Sequence, residues 1–222
     1  MFELQITKSN SLVEASYNLP VQAQKLILAC LSKLNSRHEI PKEITLHASE
    51  FSDMMGINKS NAHRELYKAA DVLFRASIVI KDGATEREIC WVQEKVKTVK
   101  GEGKVTLIWS DSVIKYISCL KNRFTTYKLR YISNLQSTSS IRLYELLMRF
   151  SSTRERVINL SDFKFSLGIQ DKYPQFKILN RDIIKPAVAE LNKCTDLEIK
   201  YETLKIGRSV VALSFEFNYK SS

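Results

Sequence analysis

One succession of short segments runs through this chain twice, and that duplication limits the possible folds more than any other feature. In the first copy Ile44-Thr45-Leu46 is strand-like, and 49–55 reads as a short helix turning Phe51, Met54 and Met55 inward. Gly56 ends that helix, as a residue free to take positive φ at a helix C-terminus. A turn at Ile57-Asn58-Lys59-Ser60 follows, in which Ser60 or Asn58 can cap a second helix over 61–74. Ala62, Leu66, Ala69 and Leu73 give this helix its apolar stripe, and Asn61, Arg64 and Lys68 share another face. Strand-like runs come next at 76–81, 88–100 and 104–109, the last two joined by Gly101-Glu102-Gly103.

The order returns after Arg156. Ile158-Asn159-Leu160 matches Ile44-Thr45-Leu46, and Phe163 precedes Gly168-Ile169 by the same interval that separates Phe51 from Gly56-Ile57. A longer helical segment covers 175–193, and strands over 197–203 and 209–217 flank Lys205-Ile206-Gly207-Arg208. Each copy has a helix before it. Leu26, Ile27, Cys30, Leu31 and Leu34 form one stripe after Pro20, and Ile141, Tyr144, Leu147 and Met148 form another. Helix, strand, helix, tight turn, helix and hairpin make a winged helix, whose second turn-linked helix can enter a major groove. The expected fold is therefore α+β, with two tandem winged-helix domains. The boundary falls between Lys121 and Asn134, giving domains 1–125 and 126–222.

Charge points to the partner. The formal net charge is +10 and the sequence pI about 9.4, which favours a polyanion, since each cation placed on a phosphate releases condensed counterions. No apolar run approaches a membrane span and no basic amphipathic helix or polybasic tail suggests a lipid surface. The N-terminus lacks a signal peptide, so the expected location is the cytoplasm. Cys30, Cys90, Cys119 and Cys194 form no CxxC pair, and His38, His47 and His63 supply no metal-ligand spacing. Buried free thiols and no metal or cofactor are expected.

The second copy carries the sharper set of candidate DNA contacts. Lys177, Arg181 and Lys185 recur every fourth residue along one helix face beside Asn180, opposite a buried face of Phe176, Leu179, Ile183 and Leu191. Arginine can take guanine and asparagine adenine as bidentate pairs, whereas lysine more often holds phosphate. Pro186 cannot donate to the Asp182 carbonyl, so this helix should kink or change pitch there. In the first copy the analogous residues are Lys59, Ser60, Asn61, Arg64 and Lys68. The wings add Lys97, Lys100 and Lys104 in one case and Lys205 and Arg208 in the other. These reach the backbone or the minor groove.

Catalysis is not expected. A nickase needs a His-x-His metal pair with a nucleophilic tyrosine, and the histidines lie far apart. Gly101-Glu102-Gly103-Lys104 is followed by Val105, with Thr98 where a phosphate-binding loop begins with glycine.

The sequence resembles the replication initiators of iteron-containing bacterial plasmids over nearly its whole length. The resemblance is carried by Pro186-Ala187-Val188-Ala189-Glu190-Leu191-Asn192, Thr195-Asp196-Leu197, Tyr201, Lys205, Gly207-Arg208 and Phe215. Two further stretches are Ser140-Ile141-Arg142-Leu143-Tyr144-Glu145-Leu146-Leu147 and the residues Asn10, Leu12, Ala15 and Tyr17. It implies a C-terminal domain that is the principal reader of origin repeats and an N-terminal domain that dimerises and touches the DNA backbone. It further implies a monomer–homodimer equilibrium, origin opening by monomers, repression of the initiator's own promoter by dimers, and host initiator and replicative helicase proteins as partners. A plain winged-helix repressor is the alternative, with identical DNA chemistry.

Overall fold

A computed structural model describes residues 3–98 and 103–220. The chain divides into two units, Met1–Asn134 and Leu135–Ser222.

The first unit opens with β1 (Gln5–Ser9), α1 (Asn10–Glu14) and α2 (Val21–Ser32), and continues through β2 (Glu43–His47), α3 (Ala48–Met55) and α4 (Lys59–Arg75). Four strands follow: β3 (Ser77–Asp82), β4 (Thr85–Cys90), β5 (Val92–Lys97) and β6 (Lys104–Trp109). It ends with α5 (Asp111–Ile114), β7 (Phe124–Lys128) and α6 (Leu129–Ile132). Helix α2 is the axis of the core. Every residue from Ala23 to Ser32 is buried, so the expected single stripe is in fact a helix covered on all sides. Lys25, buried within it, donates from Nζ to the Met55 carbonyl at 3.4 Å, fastening the end of α3.

Helices α3 and α4 are the helix-turn-helix. A capping box of His47 and Glu50 starts α3, with the His47 N–H donating to Glu50 Oε2 at 3.0 Å. Gly56 ends it at φ +62°. Asn58, not Ser60, caps α4, its Oδ1 accepting from the Ser60 N–H at 3.0 Å, so the helix starts two residues earlier than the periodicity suggests. The expected stripe of Ala62, Leu66, Ala69 and Leu73 is buried; each fully buried leucine contributes about 1.5–3 kcal/mol.

The run 88–100 is not one strand. It breaks at Trp91, a fully buried residue whose ring meets Tyr17 edge-on at 5.2 Å. The part before Trp91 is β4, paired with β3 in a hairpin of its own, and the part after it is β5, in a three-stranded sheet ordered β2-β6-β5. Alternation cannot show such a corner, because both halves are strand-like. The boundary at 125 also needs correcting. Residues 126–134 belong to the first unit, because β7 pairs antiparallel with β1, Thr7 opposite Thr126.

The second unit comprises α7 (Thr138–Met148), β8 (Glu155–Asn159), α8 (Leu160–Ser166), α9 (Phe176–Leu179) and α10 (Lys185–Cys194), then β9 (Leu197–Ile206) and β10 (Ser209–Tyr219). Its sheet order, β8-β10-β9, repeats β2-β6-β5 element for element, and Gly168 repeats Gly56 with φ +67°. Helix α7 is again buried throughout from Ser140 to Met148. Between α9 and α10 the helix passes through a π-helical turn, Asn180–Ile184, in which the Lys185 N–H donates to the Asn180 carbonyl. This is the pitch change that Pro186 demands: where the proline can supply no N–H, the wider turn carries the helix on. The extra residue rotates the later part of the helix, so Ile184 is buried and Ile183 only half-buried.

The cysteines differ from expectation. Only Cys30 is buried, while Cys90, Cys119 and Cys194 are exposed. Burial pushes the Cys30 thiol up to about 12, so it stays protonated at pH 8 and lacks the nucleophilic thiolate. Iodoacetamide at pH 8 is therefore expected to label three cysteines of the folded protein, and all four only after denaturation. Mass spectrometry of the intact protein checks this.

Candidate nucleic-acid interface

Each winged-helix unit places cations on the exposed side of its second helix. In the first unit Lys59, Arg64 and Lys68 are exposed, Ser60 lies on the first turn and Asn61 is half-buried. Lys59 sits 3.7 Å from Asp53, and Arg64 3.3 Å from Glu65. These surface pairs are loosely held, because water and salt screen them. The Ser60 hydroxyl donates to Asn58 Oδ1 at 2.8 Å, which ties it to the cap while leaving it at the helix entrance. His63 is exposed, tilted over Tyr67 with ring centroids 4.2 Å apart.

The first wing is braced against α4, and this changes the role of one expected contact. Lys97 Nζ lies 2.5 Å from Asp71 and 5.2 Å above the Tyr67 ring. Lys95 also pairs with Asp71. Hydrogen bonds from both lysines hold the Asp71 carboxyl below the usual range. Lys97 is therefore a strut between strand and helix, not a tip cation. Lys104 is exposed at the start of β6. Lys100 lies outside the described residues.

In the second unit Lys177, Arg181 and Lys185 are all exposed. The Arg181 guanidinium grips its neighbour Asp182 through two hydrogen bonds, at 2.6 and 2.9 Å, holding the Asp182 carboxyl below its ordinary range. Both groups stand in solvent, so a guanine edge can compete for the same guanidinium. Asn180 is not a free reader. It is half-buried, and its Oδ1 accepts from the Tyr201 hydroxyl at 2.6 Å. A bidentate adenine contact calls on that same oxygen, so Asn180 ties the π-helical turn to β9. Sequence periodicity places it near the face but cannot reveal its partner.

The hairpin of β9 and β10 is the second wing, with Lys205 and Arg208 exposed at its end. Leu160, Pro174, Phe176, Thr203, Lys205 and Arg208 help to line a groove of about 460 Å³ between this wing and the start of α9. Its size and cationic rim suit a sugar–phosphate strand. Ile206, exposed and apolar, lies between two of these cations. An apolar residue at a hairpin tip is the one signal of it in the sequence. Among the described residues no group of three or more His, Cys, Asp and Glu gathers to hold a metal ion, and no helix is long and apolar enough to cross a membrane.

Comparison with known proteins settles what family this arrangement belongs to. Residues 5–148 match the model for "Initiator Replication protein, WH1", and residues 159–217 match that for "Initiator Rep protein, WH2". The chain belongs to the initiator replication protein family. It is similar to a replication initiation protein of Escherichia coli, 28% identical over 225 residues, spanning 97% of this chain and 70% of that one. The PI protein of Escherichia coli is 25% identical over 250 residues, spanning 96% of this chain and 82% of that one. The crystal structure of Pi initiator protein in complex with iteron DNA has the same fold. Its TM-score is 0.85 at 22% identity, with 99% of both chains covered.

Several of the residues that carry the resemblance brace the fold, whereas Lys205 and Arg208 stand exposed on the wing. Asn192 holds β9, giving its Nδ2 to the Ile199 carbonyl at 3.0 Å and accepting the Ile199 N–H at 2.6 Å. The Tyr144 hydroxyl bonds Asp196 at 3.1 Å, and Asn10 accepts from Thr125 at 2.8 Å. None of these side chains belongs to the cationic faces. These bonds hold the platform on which Lys177, Arg181 and Lys185 stand exposed.

Proposed function

We propose that this chain initiates replication by binding repeated duplex sequences at an origin, such as the iterons of a plasmid. The helix that begins with α9 reads bases in a major groove, and α4 reads or grips the next. The observation that carries this reading is the doubled geometry: each initiator domain presents an exposed cationic helix beside a wing. Lys177 and Lys185 hold phosphates on either side of Arg181, which takes a guanine. Lys59, Arg64 and Lys68 do the corresponding work in the first unit, with Ser60 and Asn61 at the helix entrance, where free N–H groups favour phosphate. Pi initiator, which shares the fold, is seen bound to iteron DNA.

Nothing in this role requires catalysis by the chain. Opening the origin and loading a helicase call for host initiator and helicase proteins as partners. Homodimers form in equilibrium with monomers through the first unit, where β4, a strand of the two-stranded β3–β4 sheet, carries the exposed Glu86, Arg87 and Glu88. Dimers repress the initiator's own promoter.

The test is genetic. A plasmid bearing the DNA repeats selected by this protein, and no other origin, is expected to replicate only in cells that supply the chain. Replication without it would overturn the proposal.

A further inference from the structure

Among the described residues Ile206 is the most exposed large apolar side chain, 75% open to solvent. It stands at the end of β9, where a two-residue loop, Gly207-Arg208, turns the chain into β10 and Ser209 pairs back to Ile206. Gly207 takes φ +59° and Arg208 does not have positive φ, the pattern of a tight hairpin with glycine at its first central position. Nothing at such an apex requires an isoleucine. A β-branched aliphatic there gains no burial, and a polar residue would serve the turn as well.

The wing also projects. The ladder between β8 and β10 stops at Ala212 opposite Asn159, and a bulge between Val210 and Ala212 then redirects the hairpin. Beyond that rung Lys205 and Ile206 carry β9 onward by about 7 Å, at roughly 3.3 Å per residue. That reach is comparable with the depth of a minor groove, about 7.5 Å. Alternation along β9 sets the two neighbours on opposite faces. Lys205 lines the groove that faces α9, and Ile206 is not among the residues that line it. With the helix in a major groove and a phosphate strand in the groove beside Lys205, the next feature of the duplex on Ile206's side is the adjacent minor groove.

We infer that the apex of the second wing enters that minor groove and that Ile206 presses as an apolar wedge against one base step, partly unstacking it and bending the duplex. Lys205 and Arg208 hold the phosphates of the groove walls while it does so. Apolar wedges flanked by cations kink DNA in this way. The deformation favours a flexible pyrimidine–purine step, which gives sequence preference without a hydrogen bond to a base. The inference rests on the DNA-binding reading above and adds to it a residue that distorts the site.

The experiment uses the full chain and duplexes carrying the sequence it selects from a random pool, with a fluorescent adenine analogue moved step by step beyond the major-groove footprint of the second unit. The wild-type complex is expected to raise fluorescence several-fold at one step. Ile206→Ser should abolish the rise at saturation, Ile206→Met should keep it, and Lys205→Ala should weaken binding yet keep the rise once the duplex is saturated. A saturated wild-type complex with no brightened step, or a rise that survives Ile206→Ser, would overturn the wedge. Failure of the wild-type chain to select or bind any duplex would overturn the DNA-binding reading itself, and the wedge with it.

Discussion

Replacing Arg142 with alanine is expected to lower the stability of the protein by about 3–5 kcal/mol, the loss that follows when one partner is removed from a buried ion pair. Arg142 and Glu145 lie on α7 with side chains 0% and 1% exposed, joined at 2.5 Å. The guanidinium also reaches α8, donating to the Ser166 carbonyl from Nε at 3.1 Å and from Nη2 at 3.0 Å. Truncation therefore takes a cation from a buried carboxylate and two donors from a backbone acceptor at once. Against total stabilities of about 5–15 kcal/mol, that is a large share. Glu145→Ala should be nearly as damaging. The double replacement by leucine should regain much of the loss, since apolar packing can replace a buried pair at small cost. Urea unfolding followed by circular dichroism measures all three, and a loss below about 1 kcal/mol for Arg142→Ala would mean the pair is not a brace.

The second large effect falls on binding. Arg181→Ala is expected to weaken the complex with the selected sequence by about ten- to hundred-fold and to change affinity for random duplex little, because a bidentate contact to guanine is the part of the interface that distinguishes sequences. Lys177→Ala and Lys185→Ala should behave differently. Each should weaken selected and random DNA alike and reduce the slope of log affinity against log salt by about 0.9, one phosphate's share. Titrations at three or more salt concentrations separate the two classes. Equal losses on both DNAs for Arg181→Ala would make it a phosphate contact. The Asp182 carboxylate that now holds Arg181 is the competitor, so Asp182→Ala should tighten binding to the selected sequence more than to random duplex.

Much of the fold is legible in the residues alone. The recurrence of Phe51 and Gly56 as Phe163 and Gly168 reveals the duplication, and the identical strand orders β2-β6-β5 and β8-β10-β9 show it to be structural. Periodicity finds the buried face of α4 because a helix with one wet side must alternate. It misjudges α2 and α7, which have no wet side to break the pattern. Pro186 announces a pitch change because a missing N–H has a local consequence. That the change is a π-helical turn, and that it moves burial from Ile183 to Ile184, depends on packing around it. The pairing of β1 with β7 is hidden for another reason: residues more than a hundred positions apart meet, and neither segment is long or strongly apolar. Polar and charged candidates are the least legible. Sequence puts Lys97 and Asn180 among the DNA contacts by position, whereas Asp71 and Tyr201, remote in the chain, decide their roles.

In the proposed function two separate cationic helices engage one duplex, each from its own winged-helix unit. Hydroxyl-radical footprinting on the selected sequence tests this directly, with wild type compared against Arg64→Ala and Arg181→Ala. Protection should extend over about two helical turns, roughly 20 base pairs, since neighbouring major grooves recur about 34 Å apart. The two substitutions should weaken protection in different halves. Protection confined to a single turn, or loss in the same half from both substitutions, would contradict the proposal.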